Sequence, residues 1–135
     1  MEQIFETDWA KAEFYPEKKI ILVTWKDKDR VLTFDEYKYP FEKSIEFQSK
    51  NKSEIQFFIS DTRNQGTISP KYRKWFQDVA APKAQSQGLR KAAVVMNTNV
   101  FKRYYINHIM KTLNTLGMPF KAFKTVDEAK LWLTK

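Results

Sequence analysis

Three stretches of this chain, "IILVTW", "IQFFIS" and "AAVVM", are apolar almost without a break and too short to be independent helices. A run of five or six such residues, with no alternating polar face, marks a strand covered on both sides. Strands of that kind need helices over them, and the segments between them read as helices. The first is predicted to start at Thr33, an N-cap. Asp35 and Glu36 lie in its first turn, and Glu36 stands at capping-box spacing from Thr33. Phe34, Tyr37, Phe41, Ile45 and Gln48 follow a three-to-four spacing that gives one mostly apolar stripe. Pro40 falls inside this pattern and is expected to kink or split the helix, because it removes a backbone donor.

The remaining chain repeats the alternation. Ser69 and Pro70 open a second helix that carries Tyr72, Trp75, Phe76, Val79 and Ala80; Pro82 is expected to interrupt it and Gly88 to end it. "NTN" caps a third helix over residues 100–116, closed by Gly117. "PFKAF" reads as a last strand and "TVDEAKLWLTK" as a last helix, with Thr125 and Glu128 at capping-box spacing. At the front, "QIF" is a short strand, and "AEFY" and "KKIILVTWK" flank a "PEK" turn in which Pro16 suits the fixed φ. The expectation is an α/β fold: a mixed sheet of about five or six strands, with an antiparallel front hairpin, parallel β-α units after it and about four flanking helices. No repeat, linker or low-complexity tract divides residues 1–135, so one domain is expected.

The charge is uneven. The net charge of +8 arises from 11 Lys and Arg against 13 Asp and Glu in residues 1–67, and 13 against 3 in residues 68–135. A basic half of this kind suits an acidic partner, nucleic acid or an anionic surface. There is no Cys, which removes disulfides, thiolate catalysis and Cys-ligated metal together. No apolar run approaches the roughly 20 residues of a membrane helix. The N-terminus lacks the basic and apolar regions of a signal peptide, so a cytoplasmic protein is expected.

Motifs for chemistry are sparse. The one His, His108, sits in the third helix without a second His or a Cys at ligand spacing. With three Gly, no Gly-rich phosphate loop can be built, and neither GxSxG nor GxGxxG occurs. No metal or cofactor is expected, and no enzymatic activity. What remains is the stretch "FFISDTRNQGTISPKYRKW". Asp61 is predicted at the C-terminal end of a parallel strand, the edge where ligands and functional loops gather in open α/β sheets. Arg63 can pair with Asp61, with another carboxylate or with a phosphate. Gly66 is expected to supply a positive φ, and Ser69 to cap the next helix. The amides of that helix start, with Lys71, Arg73 and Lys74 beside them, can bind an anion.

The strand, "DTR", the Gly, "SP" and the Trp-bearing helix together resemble small bacterial STAS-like proteins, the SpoIIAA-like fold group. The order of elements agrees over nearly the whole chain, and the specific part lies around "DTR…G.ISP". The resemblance implies a mixed sheet flanked by helices and a regulatory role through protein binding; relatives also bind nucleotides or lipids. In anti-sigma-factor antagonists of this group a "DSSGLG"-type loop follows the corresponding strand and carries a phosphorylated Ser. Asp61 matches the Asp, Thr62 stands where the first Ser does, and Arg63 replaces the Ser that is modified. The hydroxyls left as candidates for modification are Thr62, Thr67 and Ser69.

A protein partner bound through residues 61–69 and the following helix start is therefore the first expectation. A small anionic ligand at the second helix start, or a lipid-like ligand under the aromatic-rich helices, is an alternative, and self-association as a homodimer is compatible with either. Nucleic-acid binding would use Lys71, Arg73, Lys74, Arg90, Lys91, Lys102 and Arg103, with Tyr72, Trp75, Tyr104 and Tyr105 for stacking.

Overall fold

The structure, a computed structural model, describes residues 1–51, 54–97 and 100–135 and, in the helix that begins at Val100, the side chains from Asn107 onward. Six strands form one sheet: β1 (Glu2–Glu6), β2 (Ala10–Tyr15), β3 (Ile20–Trp25), β4 (Phe57–Asp61), β5 (Lys91–Val95) and β6 (Phe120–Phe123). Their spatial order is their chain order, β1-β2-β3-β4-β5-β6. The first three pair antiparallel, and β3 to β6 run parallel. The helices are α1 (Phe34–Lys50), α2 (Pro70–Trp75), α3 (Ala81–Ser86), α4 (Val100–Thr115) and α5 (Val126–Leu133), with a π-helical turn, Phe76–Ala80, joining α2 to α3. The expected mixed α/β sheet is the one observed. Four helical runs flank it among the described residues.

Consecutive strand order has a geometric consequence. Right-handed crossovers that always step in one direction place every connecting helix on the same face. The packing agrees. Ile21, Val23, Phe58, Ala92, Val94 and Phe120 point to the face shared with Tyr37 and Phe41 of α1, Ala81 of α3 and Leu113 of α4. The alternate residues Ile20, Leu22, Ile59, Ala93 and Val95 point the other way, onto Ala129 and Leu133 of α5. Eight residues of α5 are too few to cover six strands. The far end of that face, at β1 and β2, carries half-exposed Lys11 and Glu13, as antiparallel strands with a solvated side do.

Thr33 caps α1 with a full capping box: its hydroxyl accepts from the Glu36 N–H, and the Glu36 carboxylate accepts from the Thr33 N–H. Of the two outcomes expected at Pro40, a kink or a split, the split does not occur; the helix runs through it for 17 residues. The missing Pro40 N–H leaves the Glu36 carbonyl without its helical partner. The indole Nε1–H of Trp9, from the turn between β1 and β2, donates to that carbonyl at 2.9 Å. The Pro40 ring itself is buried against the sheet with Tyr37, Phe41, Ser44 and Gln48.

Pro82 is likewise absorbed. The helical run widens into the π-helical turn just before it, where the Ala81 N–H reaches back five residues to the Phe76 carbonyl. Gln48 of α1 then donates to the Ala84 carbonyl and accepts from Gln87, locking the two helical runs together. Gly88 and Gly117 have φ of 111° and 85°, the left-handed closures expected after α3 and α4. Thr125 caps α5 through the Glu128 N–H, but the Glu128 carboxylate accepts from the Thr125 hydroxyl, so the reciprocal backbone bond of a capping box is replaced. The "NTN" cap of α4 lies partly outside the described residues.

Trp9→Phe keeps a ring and removes the indole donor, so it should destabilise the fold by about 1–2 kcal/mol, the usual cost of a buried unpaired carbonyl. In a Pro40→Ala background residue 40 can itself donate to Glu36, and the same substitution should cost less. Urea unfolding of the four proteins of this cycle measures the coupling; equal losses in both backgrounds would show that Trp9 does not compensate Pro40.

Candidate functional site

The segment after β4 is built from the inside outward. Asp61 ends β4, beside Thr24 of β3 and Val95 of β5, and is buried. Its carboxylate accepts from Arg63 twice, from Nε at 2.9 Å and from Nη2 at 2.7 Å, and also from the Arg63 backbone N–H at 3.2 Å. This two-pronged pair satisfies a buried carboxylate and folds the chain back over it. Hydrogen bonding to Asp61 raises the Arg63 guanidinium further above its usual range. Of the three partners open to Arg63 in the sequence, the structure supplies Asp61. The Arg63 carbonyl is held in turn by the Asn97 side chain at 3.2 Å.

Thr62 is buried, and both its backbone N–H and its hydroxyl donate to the Val95 carbonyl, at 2.7 and 2.9 Å. Ser69 is half-buried and caps α2 by accepting from the Lys71 N–H. Thr67 alone among the three hydroxyl candidates is exposed. A kinase can reach it without unfolding a cap or a strand end.

Thr67 also anchors the loop. Its N–H donates to the Arg30 carbonyl at 2.8 Å, and its carbonyl accepts from the Leu32 N–H at 3.0 Å, which makes an isolated parallel bridge between Val31 and Thr67. Gly66 lies against the same connector. Its φ is not positive, contrary to expectation. The residue is Gly for want of space: a Cβ there would collide with the Arg30 carbonyl oxygen and lie 3.0 Å from the Asp27 carbonyl oxygen. Arg30 is fixed from several sides. Its guanidinium donates to Glu36 at 3.2 and 2.7 Å and lies 4.9 Å from the Trp9 ring centroid. The Arg30 hydrogen bond, followed by the bond from the Thr33 N–H, holds the Glu36 carboxyl below its ordinary range.

The three cations after Ser69 do not form one cradle. Lys71 lies 5.5 Å from the Phe34 ring centroid, and Lys74 pairs with Asp78 at 3.0 Å. Arg73 is half-buried and faces a cavity beside Tyr37, Thr62 and Gln65. Burial raises the Tyr37 hydroxyl well above its ordinary range, and the Arg73 charge opposes that shift. The α2 aromatics are half-buried and pack against the core. Tyr72 stacks on Phe34 at 5.0 Å and donates to the Leu32 carbonyl, and Trp75 packs edge-on to Phe34, Tyr37 and Phe41.

These placements bear on the alternatives. Tyr72 and Trp75 are spent on packing, so they are not free to stack on bases. Arg90 and Lys91 begin β5, at the opposite end of the sheet from Lys71, Arg73 and Lys74, so the basic residues do not make one surface. Lys102, Arg103, Tyr104 and Tyr105 lie outside the described side chains. Beside an open groove of about 480 Å³ lined by Ile45, Trp75 and Val79, two cavities beneath the helices have volumes of only about 30 and 40 Å³. That is room for a water or two, not a lipid chain. His108 is exposed on α4.

Arg30 and Val31, the residues that fasten the loop, carry no signal in the sequence. Their partners lie more than thirty positions away, and no local pattern reports that pairing. Comparison of the chain with family models, curated proteins and solved structures finds no match. No helix among the described residues is long and apolar enough to cross a membrane.

Gly66→Ala should lower stability by about 1–3 kcal/mol through overpacking against a backbone that cannot yield, as measured by denaturant unfolding. An unchanged midpoint would show that the connector moves aside. Because the folded-state pKa of Glu36 is depressed, its contribution is complete above the unfolded carboxyl value and fades as pH falls through the lowered folded value. Glu36→Gln should therefore flatten the acid limb of a stability-against-pH curve and leave its alkaline limb unchanged.

Proposed function

We propose that this chain is a non-enzymatic, STAS-like interaction module that works in the cytoplasm by binding a protein partner through residues 61–69 and the start of α2. One observation carries the reading. The Val31–Thr67 bridge places a Val with 76% of its surface exposed directly beside the loop, on a backbone tied down at Arg30, Leu32, Asp61 and Val95. An exposed apolar side chain on a backbone held by hydrogen bonds suits protein recognition, because little conformational freedom remains to be lost on binding. Arg63, Asn64, Thr67 and Lys71, in the loop and at the start of α2, are also exposed. The Asp at the strand end and the element order support the resemblance to STAS-like proteins. Regulation at this surface would act through Thr67, whose phosphorylation would add negative charge next to Val31 without breaking a buried bond.

A photo-crosslinking amino acid at position 67 should capture a discrete protein in the source cells, and Val31→Glu should abolish the capture while the thermal midpoint stays unchanged. Capture of the same proteins from position 46, on the exposed outer side of α1, or undiminished capture in Val31→Glu, would overturn this assignment.

A further inference from the structure

We propose a second site, for a small soluble oligophosphate, at the end of the sheet opposite the loop. The parallel strands begin there, about 15 Å from residues 61–69 by the rise of a five-residue strand. An open cavity of about 380 Å³ is lined by Lys18, Lys19, Arg90, Lys91 and Lys135 beside Phe57 and Leu133, and Glu17 is its one acidic side chain. None of these cations is in an ion pair among the described residues; the same holds for Lys71, Lys83, Lys121 and Lys124 elsewhere, so what marks the site is that its cations converge on one cavity. The nearest acceptor to Arg90 is Gln56 Oε1 at 3.5 Å, and Lys91 rests 5.2 Å from the Trp132 ring centroid. The C-terminal dipole of α5 also points here. It amounts to roughly half a charge and leaves most of the positive charge uncompensated.

The cations are fixed in place by backbone. The Lys19 carbonyl accepts from the N–H groups of both Gln56 and Phe57 at 3.0 Å, and the Gln56 carbonyl accepts from the Arg90 N–H at 2.8 Å. Lys19, Gln56 and Arg90, each the residue just before β3, β4 and β5, therefore stand side by side, which sets Lys19 and Arg90 roughly 10 Å apart at the backbone. Two long cationic side chains across that gap fit a chain of phosphates better than a single one. Lys19 also has φ of 59°, the one positive φ at a non-glycine residue among those described. It closes the four-residue loop between β2 and β3, where Gly or Asn is the less strained choice. A Lys held in a costly conformation on a cationic rim points to a use for its side chain.

The test is calorimetric titration of sodium tripolyphosphate into the full chain at about 0.15 M salt, where the Debye length of about 8 Å is shorter than the distance between the two ends. One-site saturable binding is expected. Lys19→Gly should hold or raise the thermal midpoint, because Gly relieves the strain, yet weaken binding at least about tenfold, the worth of one charge-assisted contact. Arg90→Gln should weaken it similarly. Lys71→Gln with Lys74→Gln removes two charges at the other end, more than either single variant, and should still leave affinity within about twofold, since screening isolates charges more than a Debye length apart. No saturable binding, or equal weakening by the Lys71 and Lys74 pair, would overturn the site. Binding of an oligothymidylate with no competition by tripolyphosphate would overturn it in favour of a nucleic-acid surface.

Discussion

The hydrogen bond from the Trp9 indole to the Glu36 carbonyl allows α1 to be a single helix. Without it, Pro40 leaves a carbonyl unpaired where the helix meets the sheet. With it, 17 residues run unbroken and lay Tyr37, Pro40, Phe41, Ser44 and Gln48 on the sheet as one stripe. The same indole carries Arg30 over its ring, and Arg30 bonds to Glu36, whose backbone and side chain are now both engaged. The connector from β3 to α1 thereby becomes a fixed surface. Gly66 and Thr67 are built onto that surface, so the loop after β4 inherits its position from a Trp in the first turn of the protein.

Strand order sets where function can reside. Doubly wound sheets bind ligands where the strand order reverses and the loops diverge. Here β3 to β6 step in one direction without reversal, and that crevice does not form. The C-terminal edge is instead closed by contacts within the chain: Arg63 on Asp61, Thr62 on Val95, Thr67 on Arg30 and Leu32. A closed, rigid rim is suited to presenting side chains to a partner rather than to enclosing a substrate. The opposite edge is less self-satisfied. Its cations lack carboxylates, and its hairpin loop carries backbone strain. The two ends thus differ in chemistry, and the basic C-terminal half of the sequence is divided between them rather than gathered on one face.

Much of the architecture was legible because it rests on local rules. Continuous apolar runs identified β3, β4 and β5. Thr33, Ser69 and Thr125 marked helix starts, and Gly88 and Gly117 marked helix ends, since capping chemistry acts within one turn of the chain. Around the loop, the roles of Asp61 and Ser69 were readable for the same reason: an Asp bonding the N–H two residues on, and a Ser before a Pro. The misreadings at Pro40, Pro82 and Gly66 share one cause. Each residue was judged by its own backbone preference, and each is governed by a group remote in sequence or by a readjusted helix: the Trp9 indole, the π-helical turn, the Arg30 carbonyl.

The sequence by itself determined the alternation of strand and helix, the antiparallel front, the caps and the imbalance of charge, because periodicity and capping are properties of neighbours along the chain. Only the tertiary structure decided that α1 survives its proline, that Arg63 is committed to Asp61, that Tyr72 and Trp75 face inward, and that Arg90 and Lys91 stand with Lys18 and Lys19 instead of with Lys71. Those outcomes depend on which strands lie side by side. Strand pairing joins residues dozens of positions apart through backbone groups that every residue carries, and so leaves no local mark in the sequence.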